Sequence, residues 1–572
     1  MQSPNPSTKE PMKAITSLAA LLSLCGALSA QAPADEFAPP VDIQYGLKST
    51  AAPITQAFSG DARFADISAF EATGDLWHRQ TLSFSRLEQG KYLPENVFQH
   101  DYDNWPGDTE GRTFLAWTLL EQATHRRSRY LSKVLEMWDN EVNAKGYFGK
   151  IYTDGISEQQ LASHGWVLRA LSEFQAERPD SRARELAAPI VENLFLPTTC
   201  TYREYPIDPP TRKSAGSYSG SKQGQIGAWI ISSDIGCYAI GMAGAIDAYL
   251  AFGDERLVPL IDEMVDRFLQ IDFVHIKAQT HATLSGLRGQ VRWAKHTRDE
   301  HLWQHAEAIF QLYTEDAWTE TYANYNWFGR PTWTEPCAVV DSLMVAMELF
   351  LHTGKETYLE DAQLIYFNAL GHGQRANGGF GCDNCPGADG TGNLSFKVKE
   401  ARWCCTMRGA EGLSRMNNYQ AVIAQDGEVL LPFGLPGSLR EGTVDLEIAT
   451  DYPQYATWKI TNRGQTSQKV ALYIPSWIAG IKTGWARFEL ATGESTSITG
   501  TLAECSRPLL ASAFKAPPNE TDYKGATIMM KGPLIFAQYG QDDWQPIFYD
   551  YLRGDMSIEH SSKLIIAHAN KP

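Results

Sequence analysis

The chain has 572 residues, 43% of them hydrophobic and 20% charged, with 29 Pro and 46 Gly. That balance belongs to a globular protein of one large domain plus one or two smaller ones, and it excludes a disordered or fibrous chain. Sixty-seven acidic against 50 basic side chains leave a formal charge of −17, a sign that repels phosphate backbones and excludes nucleic acid as the main partner. The 16 Trp and 24 Tyr supply flat faces suited to sugars, though the same faces serve equally well as core.

At the N-terminus, Met12-Lys13 precede an apolar run from Ala14 to Leu28 that ends in Ser29-Ala30. A basic start, an apolar stretch and small residues at its end form a secretory signal. Residues 1–30 are therefore expected to be a signal peptide with a short upstream extension, and the mature protein to be secreted or periplasmic. Leu24, ahead of Cys25, is not the small residue of a lipoprotein signal. No other stretch reaches the roughly 20 apolar residues of a membrane helix, so no membrane span is expected. Residues 31–60, rich in Ala, Pro and Ser, read as a linker.

From 61 to 425 the texture is helical. Leu131, Val134, Leu135 and Trp138 have i, i+3, i+4, i+7 spacing, as do Leu257, Leu260, Ile261 and Met264, and Val340, Leu343, Met344 and Met347. One phrase recurs between helices: Phe252-Gly253-Asp254, His296-Thr297-Arg298-Asp299 and His352-Thr353-Gly354-Lys355 each end one helix and lead into another. The leucines that follow, Leu257, Leu302 and Leu359, stand 45 and 57 residues apart, and His125 to Leu131 is an earlier copy. Two helices per unit at such a period signal a helical array, either an open solenoid or a closed toroid of helical hairpins.

Beyond 425 the period changes to two. Thr443–Ile448, Trp458–Ile460 and Lys469–Ile474 alternate apolar and polar residues, and Ile528–Phe536 is interrupted by Gly532-Pro533. Short alternating runs divided by turn signals predict an antiparallel β-sandwich over 426–572.

The residue types that carry chemistry cluster late in the helical part. Glu335-Pro336-Cys337 places a carboxylate and a thiol at i, i+2, and Pro336 keeps Glu335 out of helical geometry. Cys404 and Cys405 are adjacent, within Arg402-Trp403-Cys404-Cys405-Thr406-Met407-Arg408. Thiolate and carboxylate are zinc ligands, and four is the usual number, so Glu335, Cys337, Cys404 and Cys405 make one candidate metal site. Against it stands the disulfide, the default for cysteines in an exported chain, and eight cysteines follow the signal. Cys382-Asp383-Asn384-Cys385 reads as a local disulfide, and Cys200, Cys237 and Cys505 as buried or bridged. His281 and His164 each read as a hydrogen-bonded structural histidine.

Together, Glu335-Pro336-Cys337 and Cys404-Cys405 resemble the Glu-x-Cys and Cys-Cys pairs of glycoside hydrolase family 127 and its relative family 146, the β-L-arabinofuranosidase-like enzymes. His281-Ala282-Thr283, Ile474-Pro475-Ser476-Trp477 and Lys531-Gly532-Pro533-Leu534 resemble further phrases of the family, and the likeness runs from about residue 100 to 540. It implies an (α/α)6 toroid followed by β-sandwich modules, with Zn2+ held by Glu335, Cys337, Cys404 and Cys405. It also implies that Cys404 is the nucleophile of a retaining hydrolysis through a thioglycosyl intermediate, where most glycosidases use two carboxylates. The family's acid/base glutamate is best matched by Glu320, with Glu315 as the fallback. His281, Trp333 and Arg408 are expected at the sugar. Thr406-Met407-Arg408 stand where the family has prolines and an asparagine, and Met242 where it has a histidine. The expected substrate is therefore β-L-arabinofuranose or a related rare sugar on plant or algal polysaccharide fragments. Two other readings compete. A polysaccharide lyase or sugar epimerase on the same toroid would use a His or Tyr base and has no need of the zinc set. A non-catalytic carbohydrate-binding protein would keep the cysteines as structural zinc ligands or disulfides.

Overall fold

The structure is a computed structural model that describes residues 62–98, 104–212, 218–330, 332–385, 393–510, 526–541, 543–554 and 561–566. The expected signal peptide and linker lie outside them. Among the described residues, twelve helices have eight residues or more. They are α1 (Gly74–Leu87), α2 (Asp108–Thr124), α3 (Leu131–Glu141), α4 (Glu158–Glu177), α5 (Ala183–Ile190), α6 (Tyr238–Phe252), α7 (Leu257–Phe268), α8 (Thr280–Thr297), α9 (Glu300–Asp316), α10 (Pro336–Thr353), α11 (Glu356–Leu364) and α12 (Cys405–Asn418).

Their neighbours settle the choice between solenoid and toroid. The even-numbered helices pack in succession, α2 on α4, α4 on α6, and so on to α10 on α12, and α12 returns to α2. Six helices thus close an inner ring. The odd-numbered helices pack outside it, α5 on α4, α7 on α6, α9 on α8 and α11 on α10, with α1 against both α12 and α2. This is the expected (α/α)6 toroid. Patterning explains the layers. The outer α7 buries a single stripe, Leu257, Leu260, Ile261, Met264, Val265 and Phe268. In contrast, α6 is buried on nearly every side. The ring helix α10 is long and apolar enough to cross a membrane, and 89% of that stretch is buried in the protein.

The recurring phrase of the sequence is a helix terminator. His125, Gly253, Arg298 and Gly354 follow α2, α6, α8 and α10, and all four adopt left-handed backbone with φ of 54°, 69°, 58° and 66°. Such a residue ends an inner helix and turns the chain outward; glycine takes that conformation without strain at two of the four sites. The ring is tightest where α4 crosses α6. A Cβ on Gly165 would meet the Ile240 carbonyl oxygen at 2.3 Å, and one on Gly244 would meet Gly165 Cα at 2.4 Å.

The β region is mostly antiparallel, as expected, and its strands fall on the alternating runs: Val444–Thr450, Thr457–Asn462, Gln468–Ile474, Thr527–Lys531 and Leu534–Tyr539. It is not confined to 426–572. One five-stranded sheet runs Arg63–Phe64, Val422–Ile423, Val429–Leu431, Gln468–Ile474, Gly484–Leu490. A second runs Ser495–Thr499, Thr457–Asn462, Val444–Thr450, Gly437–Glu441, Phe70–Ala72. Each therefore takes an edge strand from the start of the described chain. A third sheet draws Cys382–Asn384 and Asn393–Val398 out of the helical part. The boundary expected near 425 falls inside the hairpin that pairs Val422 with Leu430.

Candidate active site

Glu335, Cys337, Cys404 and Cys405 come together. One ligand atom from each lies within 4.8 Å of the others, and all four residues are buried. Their positions follow from local chain geometry. Glu335 caps α10 in extended conformation, with Pro336 as the first helical residue. Cys404 caps α12 and Cys405 opens it. Two adjacent ring helices thus aim their N-terminal ends, with their positive dipole, at four groups that bind metals as anions. Cys404 Sγ stands 3.4 Å from Cys405 Sγ and Cys405 Sγ 3.7 Å from Cys337 Sγ, well outside disulfide bonding distance. Cys382, expected in a local bridge with Cys385, lies instead beside Cys405.

Burial and the neighbouring charges act on the thiols and the carboxylate in opposite directions. Burial pushes the Cys337 and Cys405 thiols well up, and hydrogen bonding with Cys337 followed by burial does the same to Cys404. Burial also opposes ionisation of Glu335, but His281 and Arg112 hold its carboxyl below the usual carboxylate range. His281 Nδ1 is 3.3 Å from Glu335 Oε1, and Arg112 Nη1 donates to Cys337 Sγ at 3.7 Å. Three thiols and a carboxylate at this spacing form a donor set that fits zinc in kind, number and compactness.

Above the cluster opens a cavity of about 740 Å³. Of the three cluster cysteines only Cys404 lines it; Cys337 and Cys405 are sealed beneath. Four tryptophans, Trp105, Trp327, Trp333 and Trp403, contribute to its walls, with Arg330 and Lys397. Trp327 and Trp333 meet edge to face at 6.0 Å. Ring-helix N-terminal segments supply much of the floor: Asp108 and Arg112 of α2, Gln279 and His281 at the start of α8, Glu335 and Cys404.

The sequence-derived assignments divide accordingly. His281 and Trp333 line the cavity, His281 also bracing Glu335. Arg408 does not; it is fully buried, with its guanidinium 4.5 Å from the Trp166 ring and paired with Asp341 at 2.6 Å and with Glu411. Its place one turn into α12 points it into the ring's interior, so contact with sugar is replaced by a buried ion-pair network. Glu320 is likewise absent from the cavity lining. Its Oε2 accepts from Arg507 Nη1 at 2.7 Å and its Oε1 from the Leu510 amide at 2.8 Å. A strand after the predicted domain boundary, Glu504–Pro508, thus claims the carboxylate. Glu315 is solvent-facing on α9, accepting from Gln311 at 3.0 Å. His164 is structural as read, Nε2 accepting from the Phe148 amide at 2.9 Å and Nδ1 facing the Gln160 carbonyl at 2.8 Å.

Sequence reasoning missed Arg112, Asp108 and Asp234. The Asp108–Arg112 pair, both carboxylate oxygens 2.9 Å from Nε, has the i, i+4 spacing of a helical ion pair, which was a usable signal. Asp234, in the loop between the strand Trp229–Ser232 and α6, had none.

No protein-family model matches the sequence, and no curated protein matches it. Solved structures do match in fold. A GH127 β-arabinofuranosidase superposes with a TM-score of 0.62 at 13% identity, covering 85% of this chain and 86% of that one. A structure named only as a glycoside hydrolase gives 0.60 at 13%, with 83% of each chain covered. A GH127 β-L-arabinofuranosidase from Geobacillus stearothermophilus T6 gives 0.58 at 14%, covering 84% of this chain and 86% of that one. The toroid with its appended sheets is the fold of the GH127 β-L-arabinofuranosidases.

Proposed function

We propose that the protein is an exported, zinc-dependent retaining glycoside hydrolase that releases β-L-arabinofuranose or a related sugar from oligo- or polysaccharide, with Cys404 as nucleophile. One observation carries the reading: within a compact, buried cluster of one glutamate and three cysteines, Cys404 alone among the thiols reaches a large cavity walled by tryptophans. A purely structural zinc site would have no reason to present one of its thiols to such a cavity. The shared fold with the GH127 enzymes supports the same reaction class.

Glu335, Cys337, Cys404 and Cys405 would hold the ion, which when bound supplies the positive charge that keeps buried thiols deprotonated. The chain's own groups then do the rest. The aromatic walls orient the sugar, and Cys404 Sγ attacks the anomeric carbon as the glycosidic C–O bond breaks. A proton donor meets the departing oxygen. Hydrolysis of the thioglycosyl link by water gives a second inversion and net retention. The trapping of a glycosyl adduct on Cys404 by mass spectrometry, with zinc measured near one per chain, tests the reading. Cys404→Ala with undiminished glycosidase activity would overturn it.

A further inference from the structure

The reaction needs a proton donor, and Glu320 is committed elsewhere. Among the described residues, three carboxyl groups line the cavity: Asp108, Asp234 and Glu335. Glu335 belongs to the ligand cluster. Asp108 is held by Arg112 through both oxygens, so a proton on it would have to compete with a guanidinium. His281 is no better placed, with Nδ1 3.3 Å from Glu335 and Nε2 3.8 Å from Asp341.

Asp234 differs from all of these. It is 2% exposed, and among the described residues no cation pairs with it. Its partners are neutral: Ser219 Oγ donates to Oδ1 at 2.7 Å and the Gly220 amide to Oδ2 at 2.8 Å. The segment that supplies them is itself pinned, since Trp105 Nε1 donates to the Gly220 carbonyl at 3.1 Å. Gln279 Nε2 lies 3.3 Å from Ser219 Oγ and 3.4 Å from Glu335 Oε2, and the Gln279 backbone N–H donates to the Ile235 carbonyl at 3.2 Å. A continuous polar chain therefore fixes Asp234 relative to the cluster that holds Cys404.

Resting on the reading of Cys404 as nucleophile, we propose that Asp234 is the general acid and base of the reaction. As the C–S bond forms and the C–O bond breaks, the Asp234 carboxyl gives its proton to the leaving oxygen. In the second half, Asp234 carboxylate takes a proton from water while the water oxygen bonds to the anomeric carbon, and the C–S bond breaks to return the Cys404 thiolate. The cycle ends with Asp234 protonated, as it began.

Its surroundings suit the role. Burial, aided by the charge of Glu158 on α4, pushes its carboxyl up despite the Ser219 and Gly220 hydrogen bonds. Cys237, three residues on, feels its charge, and among the described residues Asp108, Arg112, Tyr218, His281, Arg330, Lys397 and Cys404 share the cavity lining with it. A group raised in this way is protonated below its pKa and loses its proton as pH rises, so acid catalysis fades on the alkaline side.

The test compares wild type with Asp234→Asn on two glycosides of the sugar that wild type hydrolyses, one with a 2,4-dinitrophenyl and one with an alkyl leaving group. The expected result is a loss of about 10²–10⁴-fold in kcat/KM on the alkyl glycoside. The dinitrophenyl glycoside, which needs no protonation, still loads Cys404. The adduct accumulates by mass spectrometry, and azide restores turnover as a glycosyl azide. The alkaline limb of the kcat/KM profile disappears. Asp234→Glu, which keeps a carboxyl, restores part of that limb, and serves if the Asn variant does not fold. Equal losses on both glycosides without adduct accumulation, at wild-type zinc content and melting temperature, would overturn the assignment while leaving Cys404 in place. Absence of any Cys404 adduct in wild type would sink both.

Discussion

Glu335 and Cys337 could be paired with Cys404 and Cys405 from the sequence because each pair is local. Two residues apart, or adjacent, ligands leave a trace that survives without knowledge of the fold. Single residues delivered by tertiary structure leave none. Glu320 is the best match to the acid/base glutamate that the family resemblance implies, but Arg507, from far beyond it, occupies the carboxylate. Glu320→Gln is therefore expected to leave kcat within a few-fold of wild type and to lower stability by about 1.5–3 kcal/mol through the lost charged hydrogen bonds. Urea denaturation beside steady-state kinetics checks it. Trp333 stands in the cavity wall against Trp327. Its replacement by Ala should raise KM about tenfold, with kcat less affected, if the ring binds sugar by stacking. A drop in kcat alone would argue that it orders the floor instead.

At the scale of elements, the repeated phrase showed where helices end but not that the array closes. Closure is a contact between α12 and α2, and nothing in a local pattern encodes it. The crossing of α4 and α6 is equally silent, because Gly165 and Gly244 look like ordinary helix-weakening residues until the two backbones meet. Gly165→Ala should destabilise the ring by about 1–3 kcal/mol by overpacking, the reverse of the gain expected from alanine at an exposed helical site. A melting temperature equal to or above that of wild type would show that the helices can separate at little cost. The same element scale explains why the site lies at this end of the ring. Glu335 and Cys404 are N-caps of neighbouring helices, so the positive ends of two dipoles reach the cluster before any ion does.

For the molecule as a whole, the cluster ties α10 to α12 and so spans one joint of the ring. Zinc bound to the folded state and not to the unfolded chain would stabilise by about 4 kcal/mol at a thousand times its Kd. Removing it with a strong chelator should lower the melting temperature, and added zinc should restore it in a concentration-dependent way. A melting temperature indifferent to chelation would argue that the folded state holds no such ion. Acidic composition acts at this scale as well: with a formal charge of −17, neutral glycans suit the surface better than polyanions.

The two edge strands at the start of the described chain set an order of events during synthesis. Phe64 must wait for Val422, and Ala72 for Gly437, before its backbone can pair. Nearly the whole helical ring is made in that interval, while the opening segment has no strand to pair with. The molecule therefore cannot mature strictly from its first residue to its last, as chains of successive domains do. A fragment stopping at residue 425 would lack the Gly437–Glu441 strand on which Phe70–Ala72 rests. Cutting the ring from its sheets would leave an unpaired β edge rather than a smaller enzyme.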